Sequence, residues 1–177
     1  IDEILCIDTV ASLYGRNNLK NIVSESVKNV FIPITVGGGI RSVDDAREIL
    51  RSGADKIAIN SIIFKNPDII NEASKKFGSQ AITASIDVRK INQKYECFYD
   101  LGKTKSNKEL KNLIVECVDR GVGEIVINSI DHDGLMKGYD NELIQLTSSL
   151  VNVPIVASGG AGNYEHLYNA YKSGADA

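Results

Sequence analysis

An aspartate follows an apolar stretch near the middle of the chain. Residues 81–86 read Ala-Ile-Thr-Ala-Ser-Ile, which is typical of a buried strand, and Asp87 comes directly after them. A carboxylate at the carboxyl end of such a strand is partly desolvated by its neighbours, so it can titrate in a useful pH range. Asp87 is therefore a candidate general acid or base. The alternative is an aspartate that only caps a turn or a helix.

Two glycine-rich turns also follow apolar runs. Residues 37–39 are Gly-Gly-Gly, and residues 158–160 are Ser-Gly-Gly. Without side chains in the way, the backbone N–H groups of such turns can converge on an anion, and the N-terminus of a following helix adds to the attraction. A tight strand-to-helix turn needs glycine as well, so the glycines alone leave both interpretations open.

The two turns belong to an internal repeat. Residues 32–39 align with 153–160, and 52–55 align with 173–176, at a constant offset of 121 residues. A constant offset across a whole βα unit indicates duplication. Duplication predicts two equivalent anion sites on opposite sides of one mouth, which a small molecule with a phosphate at each end would span. Neither G-x-G-x-x-G nor a Walker A loop occurs, so we expect no nucleotide cofactor.

The elements that position these residues are short apolar runs alternating with helical patterns, as in parallel βα units. The predicted strands are residues 3–7, 32–36, 56–59, 81–86, 124–127 and 154–157. Residues 89–106 alternate in character without a helical period, which predicts a hairpin after the fourth strand.

Polar or small residues follow nearly every predicted strand, and this distribution distinguishes two architectures. A doubly wound sheet gathers such residues at its switch point, whereas a barrel uses all its strand ends to build one mouth. We therefore predict a (β/α)₈ TIM barrel built from two half-barrel repeats. Residues 1–177 form its single domain, and we expect the first and last strands to be missing from the sequence.

Composition argues against several classes of protein. The 177 residues carry a formal net charge of −3 without a basic cluster, so we expect no nucleic-acid partner. No apolar run approaches the roughly 20 residues needed to cross a bilayer, so we expect no membrane partner. The three cysteines are odd in number and widely spaced, which indicates reduced thiols and a cytoplasmic location.

No metal site is expected. His132 and His166 have no cysteine or histidine partner at zinc spacing, and the acid-rich loop 131–134 lacks the spacing of an EF-hand.

Several motifs together resemble the cyclase subunit of imidazole glycerol phosphate synthase, a family of histidine-biosynthesis barrels. They are residues 35–40, 53–56, 129–134, 138–140 and 157–162, and the resemblance covers essentially the whole chain. It implies a lyase that forms a heterodimer with a glutaminase subunit. Ammonia from that partner would pass through the barrel and react with a bisphosphorylated aminoimidazole-carboxamide ribonucleotide. The products would be imidazole glycerol phosphate and the aminoimidazole-carboxamide ribotide.

The resemblance also implies roles for individual residues. Asp87 matches one of two catalytic aspartates, the other lying on the missing first strand. The residues that match the substrate- and phosphate-binding positions are Asp8, Gly39, Asn60, Ser61, Asn128, Asp131, Asp133, Gly134, Ser158, Gly159 and Gly160. Glu3, Lys56 and Glu124 match a charged gate through which ammonia enters at the opposite end, and the alternative is ordinary ion pairing at the barrel base.

The chain departs from the family pattern at a few positions. Asn128 stands where threonine is usual, Arg89 where lysine is common, and Leu135-Met136 where a polar pair is found. These departures resemble a paralogous branch that, with its own amidotransferase partner, installs acetamidino groups on sugars of surface polysaccharides. A third alternative is a barrel that binds a partner without catalysis.

Overall fold

The computed structural model describes residues 2–9 and 19–177. Strands and helices alternate along the chain. The strands are β1 Ile4–Ile7, β2 Ile34–Gly37, β3 Lys56–Ile59, β4 Ile82–Ile91, β5 Lys94–Tyr99, β6 Thr104–Glu109, β7 Glu124–Ser129 and β8 Ile155–Ser158. The helices are α1 Leu19–Ser26, α2 Val43–Arg51, α3 Ser61–Lys65, α4 Asp68–Phe77, α5 Leu110–Asp119, α6 Asn141–Ser148 and α7 Tyr164–Lys172, with one 3₁₀ turn at Ser79–Ala81.

The strands form one sheet whose central part is parallel. β1 pairs with β2, β2 with β3, β3 with β4, β4 with β7 and β7 with β8, each time in parallel. This order follows the chain in one direction without the reversal that a doubly wound sheet requires. The architecture is therefore that of a (β/α)₈ barrel, although within the described residues β1 and β8 do not pair and the ring stays open.

A hairpin extends from the fourth parallel strand, as predicted. β5 pairs antiparallel with the outer half of β4, from Asp87 opposite Phe98 to Ile91 opposite Lys94, and β6 pairs with β5. The pairing with β5 extends β4 to Ile91, beyond the predicted end of this strand at residue 86. The segment therefore leaves the barrel wall as a three-stranded antiparallel extension beside the strand ends.

Apolar side chains fill the layer between the sheet and the helices. Ile57, Ile82 and Ile125 of the strands are almost completely buried, as are Ile70 of α4 and Leu113 of α5. Parallel strands that are covered by helices read as continuous apolar runs, which explains the composition of these segments. None of the described helices combines the length and the apolar character needed to cross a membrane.

The repeat found in the sequence has a structural counterpart at the same offset. The Asp55 carboxylate accepts a hydrogen bond from the N–H of Ile34 at 2.8 Å, and the Asp176 carboxylate accepts one from the N–H of Ile155 at 2.8 Å. Helices α2 and α7 also begin at equivalent positions, and Ser42 and Asn163 cap them with their side-chain oxygens. The duplication thus extends to individual hydrogen bonds.

Candidate active site

The carboxyl ends of the parallel strands surround an open cavity of about 790 Å³. Its wall includes residues that follow strands from β1 to β8, because parallel strands in a barrel all end at the same side. The predicted site residues in this wall are Asp8, Gly39, Asn60, Ser61, Asp87, Asn128, Asp133 and Ser158. The fold thus brings together side chains that lie as far as 150 positions apart, from 8 to 158, in the sequence.

Asp87 lies in this cavity with each carboxylate oxygen bound by an asparagine. The Asn128 side-chain amide donates to Oδ1 at 2.9 Å, and the Asn60 amide donates to Oδ2 at 3.2 Å. Burial raises the pKa of Asp87 above its ordinary value, the two amide hydrogen bonds oppose this shift, and the nearby Asp133 carboxylate adds to it. A carboxyl group with a raised pKa can exchange protons closer to neutral pH than an exposed one.

The two asparagines differ in how fully they are hydrogen-bonded. Besides its bond to Asp87, Asn60 donates to the carbonyl of Ser85 at 2.9 Å and accepts from the Ser61 hydroxyl at 3.2 Å. Both amide hydrogens of Asn60 are therefore used, which fixes its orientation. Asn128 instead keeps Oδ1 buried without a hydrogen bond from any described residue. Asn128 can therefore accept a further donor beside Asp87.

The glycine-rich turns require glycine for steric reasons. Gly38 has φ +108° and Gly160 has φ +107°, both in the left-handed region. A Cβ atom at Gly38 would lie 2.2 Å from the carbonyl oxygen of Asp8, and one at Gly160 would lie 2.1 Å from that of Gly138. Among the described residues, no hydrogen bond uses the N–H of Gly39 or of Gly160. Both turns thus need glycine for their backbone conformation, and Gly39 and Ser158 bring one residue of each turn to the cavity wall.

Some predicted site residues lie beside the cavity rather than in its wall. Asp131 accepts a hydrogen bond from the N–H of Lys90 at 2.8 Å and lies 3.3 Å from Nε of Arg89. It therefore holds the outer half of β4, which pairs with β5. Gly134 is exposed with φ +74°, Gly160 is buried, and neither Gly159 nor Gly160 belongs to the cavity wall. These four residues border the mouth without lining it.

The unusual pair Leu135-Met136 points away from this site. Leu135 is 52% exposed and Met136 is 71% exposed, and neither lines the cavity. The apolar character of this pair therefore does not change the wall to which a substrate would bind.

Glu3, Lys56 and Glu124 form an ion-pair cluster at the opposite end of the strands. The Lys56 ammonium lies 2.8 Å from Glu3 and 2.6 Å from Glu124. The Thr35 hydroxyl donates to Glu3, and the Thr83 hydroxyl donates to Glu124 at 2.9 Å. Burial lowers the pKa of Lys56, but the hydrogen bonds to Glu124 and Glu3 outweigh this effect and leave the pKa above its ordinary value. The cluster thus keeps one positive charge between two carboxylates.

Four charged residues of the cavity wall are not among the site residues predicted from the sequence. They are Arg41, Lys65, Arg89 and Asp100. Strand alternation carries a signal for Arg89, because side chains at positions 87 and 89 of one strand point to the same face. Its guanidinium also lies 5.3 Å from the centre of the Phe98 ring, on the paired strand of the hairpin. Asp100 approaches the cavity only through the folding of the hairpin, which no local pattern reveals, and there it meets Lys65 at the end of α3.

The described residues contain no group of three His, Cys, Asp or Glu side chains that could hold a metal ion.

Comparison with known proteins gives a consistent result. Residues 1–177 match the model of a family described as histidine biosynthesis protein. Imidazole glycerol phosphate synthase subunit HisF of Legionella pneumophila is 48% identical over 167 residues, which cover 94% of this chain and 79% of that protein. The proteins of the same name from Dictyoglomus thermophilum and Natranaerobius thermophilus are 45% and 44% identical, over 99% and 98% of this chain and 70% and 69% of their own lengths. The chain belongs to the histidine biosynthesis protein family.

Proposed function

We propose that this chain is the cyclase subunit of an imidazole glycerol phosphate synthase and acts as a lyase in histidine biosynthesis. The observation that carries the proposal is the position of Asp87, between two asparagines and in one cavity with both glycine-rich turns. The relatives named after this synthase support the same activity. The substrate is the phosphoribulosyl form of the aminoimidazole-carboxamide ribonucleotide, which carries two phosphates.

Each end of the substrate binds at one glycine-rich turn. Ser61 and the N–H of Gly39 bind one phosphate, and Ser158 and the N–H of Gly160 bind the other. Gly39, Ser61 and Ser158 line the cavity, and among the described residues no hydrogen bond uses the N–H of Gly39 or of Gly160. This arrangement places the middle of the substrate over Asp87.

Asp87 moves the protons of the reaction. When ammonia attacks the ketone carbon of the ribulosyl group, its nitrogen must lose protons and the ketone oxygen leaves as water. When the ring then closes, the leaving nitrogen of the aminoimidazole must gain a proton. A single carboxyl group with a raised pKa can accept the first proton and return it in the second step. Asn60 and Asn128 keep the carboxylate oriented during both transfers.

Ammonia reaches this site from a glutaminase subunit bound at the other end of the strands. The word "subunit" in the relatives' name supports an assembly of more than one chain. We propose that the cluster of Glu3, Lys56 and Glu124 borders the entry, because it lies at the start of β3 and β7 and just before β1. The three free thiols of Cys6, Cys97 and Cys117 support a cytoplasmic location.

The direct test of the function is turnover with ammonia. Full-length protein is incubated with the phosphoribulosyl substrate and an ammonium salt, and both products are quantified by chromatography. We expect imidazole glycerol phosphate and the ribotide to appear in equal amounts and only when ammonia is present. Absence of ammonia-dependent product from folded protein would refute the proposed reaction.

The two phosphate sites are tested by removing one hydroxyl from each. We expect Ser61→Ala and Ser158→Ala each to weaken binding of a bisphosphorylated substrate analogue by about tenfold, because a hydrogen bond to a charged group contributes more than a neutral one. The double variant should show the product of the two effects, since distant sites act independently. Calorimetric titration measures the dissociation constants.

Ser52→Ala is the matched control for both serine variants. The Ser52 hydroxyl donates to the carbonyl of Ile49 at 2.7 Å, at the end of α2 away from the cavity. If Ser61→Ala and Ser158→Ala bind the analogue as tightly as Ser52→Ala does, the substrate does not lie across the two turns.

A further inference from the structure

The turn that connects β5 to β6, residues 99–103, is held against helix α3 by three contacts, and we call this turn the hairpin tip. The N–H of Asp100 donates to the Ser61 hydroxyl oxygen at 3.0 Å. The Lys65 ammonium lies 2.9 and 3.1 Å from the two oxygens of the Asp100 carboxylate. The rings of Phe64 and Tyr99 stack with their centres 4.9 Å apart. The hairpin tip therefore touches the same serine that we assign to a phosphate.

The backbone of the hairpin tip is held in an unusual conformation. Asp100, Leu101 and Gly102 have φ of 52°, 63° and 70°, so three successive residues adopt the left-handed region. Residues other than glycine persist there only when their surroundings hold them in place. On the other side of the tip, a Cβ atom at Gly102 would lie 3.2 Å from the Ile130 side chain, which follows β7. The tip thus bridges α3 and the loop after β7.

A continuous line of hydrogen bonds runs from the hairpin tip to Asp87. Ser61 accepts from the N–H of Asp100 and donates to Oδ1 of Asn60, and the amide of Asn60 donates to Asp87. Without a bound phosphate, Ser61 donates its only hydrogen to Asn60, and Asn60 donates one amide hydrogen to Asp87 and the other to the carbonyl of Ser85. A displacement of the tip would therefore change the partners of Ser61 and the orientation of Asn60.

We propose that Lys65 and Asp100 are positioning residues, which hold the hairpin tip against Ser61 and, through Ser61 and Asn60, orient the Asp87 carboxylate. This inference rests on the proposed function, because the orientation of Asp87 matters for turnover only if Asp87 is the acid–base group. It adds that the hairpin, and not only the barrel wall, is part of the catalytic apparatus. Lys65 and Asp100 act through Ser61 and need no contact with the reacting atoms.

The opposite end of β5, where it pairs with the end of β4, is held by contacts of its own, so the hairpin tip can be loosened separately. The Tyr95 hydroxyl donates to Asp140 at 2.9 Å, and Lys90 lies 2.5 Å from Glu142 of α6. These contacts do not involve Lys65, and Lys65 itself is half exposed. We therefore expect Lys65→Met to free the tip without unfolding the hairpin.

The test follows the ionisation of Asp87 in the ligand-free protein. Carbon NMR of the carboxyl groups is recorded against pH, and the signal that disappears in Asp87→Asn is assigned to Asp87. The electric fields of the other charged groups that face the cavity also act on the Asp87 carboxylate, so these groups are left unchanged in all variants. They are Asp8, Arg41, Arg89 and Asp133, with Asp131 behind Arg89.

Two variants separate positioning from a direct electric field. Lys65→Met removes a positive charge and Asp100→Asn removes a negative one, so a direct field would move the Asp87 pKa in opposite directions. Loosening of Asn60 instead weakens a hydrogen bond that lowers the Asp87 pKa. We expect both variants to raise it, Lys65→Met by about half a unit. Asparagine tolerates left-handed backbone, so Asp100→Asn adds no new strain.

Controls and a double variant complete the design. Lys65→Arg keeps the ion pair and should restore the wild-type titration. Lys105→Met removes a comparable ion pair, with Glu96 at 3.0 Å, from the same hairpin and should leave Asp87 unchanged. In a Ser61→Ala background the line is already cut, so Lys65→Met should have little further effect.

Turnover with ammonia gives an independent readout. Lys65→Met should lower kcat by about threefold to tenfold, a size typical of coupling between groups in one network, and Lys65→Arg should not. Opposite shifts of the Asp87 pKa in the two variants, no shift in either, or an undiminished effect of Lys65→Met in the Ser61→Ala background would overturn the proposal. Because the titration needs no substrate, its result stands even if the proposed reaction proves wrong.

Discussion

We expect Asp87→Asn to lower ammonia-dependent turnover by at least about a hundredfold, while the affinity for the bisphosphorylated substrate changes little. The amide is nearly the same size as the carboxyl group but cannot exchange a proton at neutral pH. The phosphate contacts that we propose come from other loops, so binding is preserved. Turnover with an ammonium salt, rather than with glutamine, measures the chemical step without any contribution from the glutaminase subunit that we propose as partner.

The same variant is expected to keep its fold. The buried Oδ1 of Asn128 accepts no hydrogen bond from the part of the chain that the structure describes, so a rotation of its amide would give a new amide at position 87 an acceptor in place of a donor. The pKa of Asp87 is raised in the folded protein, which means that folding favours its protonated form. Wild-type stability therefore falls as pH rises from the ordinary value of 3.8 through the raised pKa, and the variant lacks this loss. We expect its melting temperature at pH 7 to be no lower than that of the wild type.

Asp44→Asn is the control for both measurements. Asp44 lies in the first turn of α2 with most of its side chain exposed, so its replacement should leave turnover and melting temperature close to wild type. If Asp87→Asn retains turnover comparable to this control, Asp87 is only a turn residue and the acid–base group lies elsewhere.

Lys56→Met is expected to lower the free energy of unfolding by about 2 kcal/mol. Removing one partner of a buried ion pair costs roughly 3–5 kcal/mol, and exposure to solvent reduces this loss. Here the Lys56 side chain is 22% exposed, and its removal leaves Glu3 and Glu124 facing one position without a positive charge. Denaturant titration at pH 7 measures the change.

The pH dependence of this difference has a definite sign. The pKa of Lys56 is raised in the folded protein, so its contribution is complete below the ordinary value of 10.5 and declines as pH rises through the folded pKa. The gap between wild type and Lys56→Met should therefore be constant near neutral pH and narrow only in alkali. Lys28→Met removes an exposed ion pair with Glu25 and should change stability by less than about 0.5 kcal/mol. A loss in Lys56→Met no larger than this would show that the cluster is a solvated surface contact.

The barrel and much of its mouth could be predicted because their signals are local. A glycine turn, or an aspartate after an apolar run, is visible within a few residues of sequence. The internal repeat shows the glycine turn a second time, in the other half of the chain. The parallel arrangement then requires all strand ends to meet, which brings Asp8 and Ser158 into one cavity wall without knowledge of their contacts.

The contacts of the hairpin could not be predicted in this way. The alternating pattern predicts a hairpin, but the bond from Asp100 to Ser61 joins residues 39 positions apart and depends on how the hairpin folds back over α3. A change of one residue in the pairing of β4 with β5 would move every side chain to the other face. The assignment of Glu3, Lys56 and Glu124 to one cluster likewise came from resemblance, and no local pattern joins them.

The repeat has one further consequence, which concerns direction. Two identical halves would form a cradle with twofold symmetry, and such a cradle would accept a molecule with two phosphate ends equally well in either direction. Arg41 and Gly162 occupy equivalent positions of the two halves, two residues after Gly39 and Gly160. Arg41 lines the cavity, whereas a Cβ atom at Gly162 would lie 2.2 Å from the carbonyl oxygen of Met136. One end of the cradle therefore carries a cation, whereas a side chain at the equivalent position of the other end would clash with the backbone. Because the two ends differ in charge, we expect a bisphosphorylated molecule to bind in only one direction.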